Sequence, residues 1–189
     1  MKLFFISIFV LLTSFIFSQN EYEDDEFKTL STKSFKKAGI HKAYFKLSLL
    51  FPAVGGEVGL AEKFSLDFGA RLGINAGVNG IGQTYFFPQP SLVLEPKWNY
   101  NIKRRLQKGK NISKYSSNFL SLHSNFNIKV SPSTANYFVV GPAWGLQRNF
   151  SDIAYVKFKT GLAYRYVFNA PIKYSHLVIL LNLQLGFVF

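Results

Sequence analysis

From residue 42 to the end of the chain, apolar and polar residues alternate with a period of two, and no other feature of the sequence constrains the fold as strongly. Successive side chains of a β-strand point to opposite faces, so this period is typical of strands whose two faces differ. Between Phe64 and Asn75 the alternation has no exception. The pattern therefore predicts an all-β fold over 42–189.

Eight segments carry this alternation, and no segment after the first eighteen residues has the period of a long amphipathic helix. Eight strands close into a narrow barrel whose interior is filled by side chains. The predicted strands cover 43–51, 54–61, 63–75, 86–100, 119–129, 136–148, 153–168 and 177–189.

The first eighteen residues, MKLFFISIFVLLTSFIFS, have the features of a secretory signal peptide: Lys2, an apolar run and the small Ser18. The run from Leu3 to Phe17 is shorter than the ~20 residues that a membrane-spanning helix needs. The chain contains no cysteine, which excludes a lipoprotein signal, disulfides and cysteine nucleophiles. We expect 1–18 to be removed on export and 19–41 to form a flexible polar leader.

Alternation alone does not decide whether the apolar face points to a core or to lipid, so a soluble exported barrel that binds an apolar ligand stays an alternative. The polar face is rich in small residues, which suit the inside of a narrow barrel. Aromatic residues concentrate at the strand ends, as in the two girdles of membrane barrels. One set is Phe45, Phe64, Trp98, Tyr100, Phe187 and Phe189, and the other is Phe51, Phe86, Phe138, Tyr166 and Phe168.

The chain ends LNLQLGFVF, and this segment resembles the C-terminal targeting strand of Gram-negative outer-membrane barrels. Its apolar positions are Leu181, Leu183, Leu185, Phe187 and Phe189. Residues 42–189 resemble the small eight-stranded family that includes outer-membrane proteins A, X and W. The stretch KWNYNIKRRLQKGKN, followed by SSNFLSL, is similar to uncharacterised barrel proteins of Gram-negative bacteria.

The resemblance implies an eight-stranded antiparallel up-and-down transmembrane β-barrel in the outer membrane. It also implies contact with outer-membrane lipid or lipopolysaccharide, insertion by the barrel assembly machinery, and a monomeric state. The resemblance does not indicate a particular activity.

The polar face carries three acids and seven bases, which a membrane barrel would turn inward. Burying such charges is costly unless they are paired, so we expect the acids to pair with Arg71, Lys97 or Lys157 and the surplus bases to lie near the mouths. The interior should then be closed and ion-paired rather than a wide pore. The predicted lumen residues are Lys46, Glu57, Asp67, Arg71, Glu95, Lys97, Lys129, Lys157, Lys159 and Arg165.

One predicted connection, 101–115, is long and basic. It is either a solvated loop or a contact for an anionic surface such as lipid headgroups, where each basic residue adds ~1 kcal/mol. Nucleic acid is a poor partner, because no base-stacking arrangement accompanies the charges. The six basic residues are Lys103, Arg104, Arg105, Lys108, Lys110 and Lys114.

The histidines give little support for an enzyme. The segment His123-Ser124-Asn125 resembles the His-x-Ser-Asn segment of the lipid A deacylase family with one residue missing, so His123 and Ser124 point to opposite faces. Ser121 shares a face with His123, but no partnered carboxylate can be assigned. His41, His123 and His176 lack metal-ligand spacing. We predict a structural, adhesive or interaction role without cofactor or metal, with an envelope lipid hydrolase as the alternative.

Overall fold

The computed structural model describes residue 40 and residues 42–78, 84–130, 135–150, 153–168 and 174–189, all within one compact unit, Ser34–Phe189. The predicted all-β up-and-down fold is confirmed, because the strands form a closed barrel in the order β1 to β8. They are β1 (Ala43–Ser48), β2 (Ala53–Gly59), β3 (Phe64–Val78), β4 (Thr84–Trp98), β5 (Asn118–Asn127), β6 (Asn136–Phe150), β7 (Ala154–Phe168) and β8 (Tyr174–Val188).

Every strand pairs antiparallel with its neighbour in sequence, and the ring closes where β1 pairs with β8. At the seam, Leu47 lies opposite both Val54 of β2 and Phe187 of β8. The β1–β8 pairing is short, whereas β3 and β4 pair along fifteen positions. The connections 60–63 and 99–117 lie at the end of the barrel where β1 begins and β8 ends, which we call the terminal end.

The sequence alternation maps directly onto the two faces of the wall. In β8, Leu185 and Phe187 are exposed, whereas Gln184, Gly186 and Val188 are buried inside. The same parity holds in β6 and β7, so the apolar set faces outward and the polar set faces the lumen. This is the reverse of a soluble barrel, which places its apolar residues inside.

Glycines allow the wall to close tightly at the β1–β8 seam and between β2 and β3. A Cβ on Gly186 would lie 1.9 Å from the Leu47 carbonyl oxygen. In the Gly55–Gly69 pair, a Cβ on Gly55 would lie 2.2 Å from the Phe68 carbonyl oxygen. Side chains at these positions would collide with backbone, so the close strand contacts need glycine.

The connection between β4 and β5 is an ordered cap over the terminal end of the barrel rather than an open loop. It contains a short helix, α1 (Ile102–Gln107), and a 3-10 turn, Ser113–Tyr115. Apolar residues from the cap pack with residues at the first and last strands. The cluster comprises Ile40, Tyr44, Ile102, Ile112, Tyr115, Tyr155 and Val188, with Leu106 against it.

Ile40 is the one described residue of the predicted leader, and it is buried in this cluster. The rest of the leader, 19–39 and 41, and the predicted signal peptide, 1–18, lie outside the described residues. Within the described part of the chain, no helix combines the length and the hydropathy needed to cross a membrane.

Candidate functional site

Two carboxylates and two lysines form the first half of an ion network inside the barrel. Glu57 on β2 is fully buried and forms salt bridges to Lys46 of β1 and Lys97 of β4. Asp67 on β3 lies 3.0 Å from the Lys46 Nζ atom and 3.7 Å from the Lys97 Nζ atom. Ser65 donates to the second Glu57 oxygen at 2.6 Å, so both oxygens are satisfied.

The second half of the network is centred on Glu95 of β4. Its carboxylate accepts hydrogen bonds at 2.9 Å from Lys157 and from Lys159, both on β7. Ser121 of β5 adds a third donor at 2.7 Å. Lys157 also bonds Asp67 at 3.1 Å, which joins the two halves into one network across the lumen.

An amide and two aromatic rings complete the surroundings of the lysines. The Gln147 side-chain oxygen accepts from Lys46 at 3.1 Å and from Lys97 at 3.3 Å. The Lys97 Nζ atom lies 4.9 Å from the centre of the buried Phe119 ring, and the Lys46 Nζ atom lies 5.6 Å from that of Tyr155. Contact of a cation with an aromatic face is favourable when water is excluded.

The ion network lies across the lumen, and each of its lysines and carboxylates is bonded to another member of the network. Four lysines, at 46, 97, 157 and 159, share three carboxylates, and all four are at most 5% exposed. Buried charges are tolerated only when they are paired and hydrogen-bonded, as these are. The side chains therefore form a polar core across the lumen.

The pairing differs from the sequence prediction in two ways. Lys97 and Lys157 hold the acids as expected, but Lys46 and Lys159, expected near the mouths, are equally part of the network. Arg71, an expected partner, forms no ion pair with an acid of the described residues, and its Nε atom is buried without a hydrogen-bond partner. The alternation gives the face of each residue but not its height in the barrel.

The other two predicted lumen bases lie apart from the network. Arg165 on β7 faces inward, with its guanidinium 4.6 Å from the centre of the Tyr137 ring. The prediction for Lys129 is wrong: this residue is exposed and lies beyond the end of β5. Its N–H bonds the Asn136 side chain at 2.7 Å instead of continuing the ladder.

The six basic residues of 101–115 fall into two groups. Arg104, Lys108 and Lys110 are exposed, and we call these three the basic cap face. The others are engaged by the protein. Lys103 lies 3.7 Å from Glu62, Arg105 donates to the Asn111 carbonyl oxygen at 2.8 Å, and Lys114 donates to the Val188 carbonyl oxygen at 3.0 Å.

Tyr115 fixes the cap to the barrel. Its hydroxyl donates to the carbonyl oxygens of Ala61, at 2.6 Å, and Phe64, at 3.1 Å. Burial, followed by the nearby charge of Glu57, raises the pKa of Tyr115, which keeps the phenol protonated and able to donate. Lys114 and Tyr115 have positive φ angles of 49° and 58°, a conformation that the surrounding contacts must hold.

Polar side chains add further bonds between the cap and the strands. Asn149 of β6 donates to the carbonyl oxygens of Ser113, at 2.6 Å, and Lys114, at 3.1 Å. The Gln147 amide donates to the same Lys114 oxygen at 3.0 Å, which links the cap to the ion network. This function of 101–115 could not be predicted from the sequence, because the apolar residues of the segment follow no period. The only signal was the presence of Ile102, Ile112 and Tyr115 within a basic segment.

The outer surface carries an apolar band between two groups of aromatic residues. At the terminal end, the rings of Phe45 and Phe189 lie 6.5 Å apart, and the Trp144 indole donates to the Tyr100 hydroxyl at 2.9 Å. At the other end, which we call the far end, the rings of Phe126 and Phe168 stack at 5.7 Å. The exposed residues between them include Val54, Leu72, Leu92, Leu94, Leu120, Leu122, Leu162, Ile179 and Leu181.

The height of this band can be gauged along β8. The ten residue steps from Leu177 to Phe187, at about 3.4 Å per residue and a tilt of about 40°, span ~26 Å. This agrees with the ~25 Å apolar band of membrane barrels. The five C-terminal positions singled out in the sequence, 181, 183, 185, 187 and 189, are all exposed on this outer face.

Ser121 and His123 face the lumen together, but the groups they bond are different. Ser121 donates to Glu95, whereas the His123 Nδ1 atom lies 2.9 Å from the Lys159 Nζ atom. A serine nucleophile needs its hydroxyl directed to a base. His41 lies outside the described residues, and within those residues no group of histidine and acidic side chains could hold a metal ion.

No protein-family model, curated protein or solved structure matches the chain.

Proposed function

We propose that the chain is a membrane-spanning β-barrel of a Gram-negative outer membrane, exported by its N-terminal signal peptide, with a closed lumen and a structural, adhesive or interaction role. The observation that carries this proposal is the inverted distribution of residues. Large aliphatic side chains cover the outside of the wall, whereas the carboxylates Glu57 and Glu95 and their lysines are buried inside. In water, a barrel with this distribution would be destabilised both by its exposed apolar surface and by its buried charges.

The aromatic girdles and the height of the apolar band support the same proposal, because aromatic rings favour the headgroup level on both sides of a bilayer. The alternative of a soluble barrel with an apolar ligand has less support. A lumen containing four buried lysines offers such a ligand few apolar contacts.

For the basic cap face, we propose contact with an anionic surface at the terminal end of the barrel. The exposed charges of Arg104, Lys108 and Lys110 project from a cap that the barrel holds in place. Basic residues at such a surface attract anionic lipid headgroups electrostatically, and the attraction decreases with salt.

Two measurements test the membrane proposal. The full chain, expressed in a Gram-negative host, should sediment with the outer membrane and resist extraction with alkaline carbonate. The folded barrel should also migrate faster than the boiled chain on a gel run without prior heating. Recovery in the soluble periplasmic fraction would contradict the proposal and favour the soluble barrel.

A further inference from the structure

The wall of the barrel is incomplete on one side, because the β1–β2 hairpin is much shorter than its neighbours. β1 and β2 contain six and seven residues, whereas β3 and β8 each contain fifteen. The last hydrogen bonds to the hairpin are Leu49 N–H to the Leu185 carbonyl and Leu72 N–H to the Pro52 carbonyl. Toward the far end of the barrel, within the described residues, no strand fills the space between β8 and β3.

This gap opens within the apolar band. Beside it, Leu177, Ile179 and Leu181 are 73%, 78% and 74% exposed, whereas Leu183 and Leu185, nearer the hairpin, are 45% and 49% exposed. Alternate residues of a strand direct their backbone groups to the same side. Because Leu185 directs its carbonyl to Leu49, residues 183, 181 and 179 direct theirs into the gap. A sheet edge in hydrocarbon is stable only where protein, water or a ligand satisfies it.

The rims of the gap carry polar groups that lack partners. Arg71 occupies the last position at which β3 pairs with β2, opposite Ala53, and its Nε atom is buried without a hydrogen bond. On the β8 rim, the side-chain oxygen of Asn182 is likewise buried without a hydrogen-bond partner. Within the described residues Arg71 forms no salt bridge, although the charges of Glu95 and Asp67 act on it from farther away. After the leader, the acids are Glu57, Glu62, Asp67, Glu95 and Asp152.

The described acids have other partners or lie elsewhere. Glu57, Asp67 and Glu95 are each held by at least two lysines, and Glu62 belongs to a terminal-end connection, whereas Asp152 lies outside the described residues. The described interior therefore has more positive than negative charge, and Arg71 is the excess cation beside the gap. An arginine that forms no salt bridge is a ready donor of two parallel bonds to a carboxylate or phosphate.

An apolar cavity of about 480 Å³, open to the outer surface, lies beside the tip of the β1–β2 hairpin and has room for part of an acyl chain. Leu47, Val54, Leu72 and Leu92 form its apolar walls. Arg71 also borders a smaller cavity of about 30 Å³, which Lys46, Tyr155 and Gln184 line. The apolar surface of the band and the interior of the barrel therefore meet at Arg71.

We propose that the gap is a lateral binding site for an anionic amphiphile, whose acyl chain lies against the apolar cavity and whose carboxylate or phosphate pairs with Arg71. This inference rests on the proposed membrane location, because the acyl chain is supplied by the bilayer. Below the site, the ion network and the cap keep the lumen closed, so the site binds a lipid without conducting it to the terminal end.

The test uses the full-length barrel, folded in a neutral detergent and checked for heat-modifiable migration. The probes are palmitate, lysophosphatidate and the neutral monopalmitoylglycerol. Acetate and inorganic phosphate represent the anionic headgroups without an acyl chain. Both anionic amphiphiles should bind at least about tenfold more tightly than the neutral amphiphile. Acetate and inorganic phosphate should bind more weakly than any of the three amphiphiles. Equal binding of the neutral amphiphile, or binding of free phosphate as tight as that of lysophosphatidate, would overturn the proposal.

Two variants separate the site from the rest of the barrel. R71Q should lower the affinity for palmitate about tenfold, whereas K42Q, at an exposed lysine just before β1, should leave it unchanged. G73F should also weaken binding, because a Cβ at Gly73 meets only the Gln89 carbonyl oxygen, at 3.6 Å, and the ring would narrow the gap; G73A is its control.

Unchanged binding by both R71Q and G73F would contradict the site while leaving the membrane proposal intact. A chain that stays soluble without detergent and shows no heat-modifiable migration would contradict both.

Discussion

Each carboxylate on the inward face of the described strands is bonded by at least two lysines, and Glu95 has the most complete set of donors. Lys157, Lys159 and Ser121 all bond it, and it is fully buried. Replacing one member of such a network removes its charge but leaves the partner charges in a site with little water. At the residue scale, stability therefore depends on keeping the network balanced.

We expect Glu95→Gln to lower the free energy of unfolding by about 3–5 kcal/mol, because two buried lysines lose their shared counter-charge. The midpoint of urea unfolding, followed by heat-modifiable migration, measures the change. Glu62→Gln is the matched control: Glu62 is partly exposed and lies 3.7 Å from Lys103, so its loss should cost less than about 1 kcal/mol. Equal effects of the two substitutions would show that the network does not stabilise the barrel.

The facing of these residues was predictable from sequence, but their partners were not. Because the period of a strand is two, the sequence places Lys46, Asp67 and Lys159 on the polar face, which the structure turns inward. Which of them meet depends on how far each strand is shifted along the barrel, and the sequence does not state that shift. The prediction for Lys129 is wrong for another reason: β5 ends at Asn127, before the apolar alternation of the sequence ends.

At the scale of elements, the cap depends on a buried hydroxyl. Tyr115→Phe keeps the ring in the apolar cluster but removes the hydrogen bonds to the Ala61 and Phe64 carbonyl oxygens. We expect the free energy of unfolding to fall by about 0.5–1.5 kcal/mol, because the hydroxyl's hydrogen bonding is lost while both oxygens still accept from backbone N–H groups. Faster proteolysis within 101–115 of the folded barrel would accompany it, measured by limited digestion. If digestion and stability both match the parent chain, the cap is not fixed by Tyr115.

The seam between β1 and β8 is the second element with a specific requirement. Gly186→Leu places side-chain atoms where the Leu47 carbonyl oxygen lies, since even a Cβ would come within 1.9 Å. The barrel should then fail to close, and its heat-modifiable migration should be lost. Gly73→Ala is the control, because a Cβ there has room. Normal folding of Gly186→Leu would mean that β1 and β8 do not pair in this register.

The strands themselves could be predicted, and the cap could not, for one physical reason. A strand with two unlike faces repeats every two residues, so Phe64–Asn75 reveals its structure locally. The cap is apolar only where single residues, such as Ile102 and Ile112, meet β1, β7 and β8. Those contacts are distant in sequence and leave no period, so a basic segment with a few apolar residues looks like a solvated loop.

At the scale of the whole molecule, the ion network and the cap both lie across the lumen, at two heights. We therefore expect the barrel, reconstituted in a planar bilayer, to give no stable single-channel steps. Insertion is verified in parallel by protease protection in vesicles made from the same preparation. Reproducible unitary conductance from inserted barrels would contradict a closed lumen.

The basic cap face makes a separate prediction about the whole barrel. Changing Arg104, Lys108 and Lys110 together to glutamine should weaken binding of the barrel, held in a neutral nanodisc, to phosphatidylglycerol vesicles. The expected loss is up to about 3 kcal/mol at low salt, at roughly 1 kcal/mol per charge. Phosphatidylcholine vesicles are the control surface, and vesicle flotation is the measurement. Unchanged binding of the triple variant would contradict the electrostatic contact.

We expect the apolar face of the wall to contact lipid hydrocarbon, and the absence of cysteine from the chain makes a direct measurement of this contact possible. Single cysteines at Leu120, Leu162 and Ile179, and at Lys110 as the aqueous control, can each carry a nitroxide label in reconstituted barrels. Electron paramagnetic resonance should find the first three accessible to oxygen and shielded from a water-soluble nickel chelate, with the reverse at residue 110. High nickel accessibility at residues 120, 162 and 179 would show that this face is in contact with water rather than lipid.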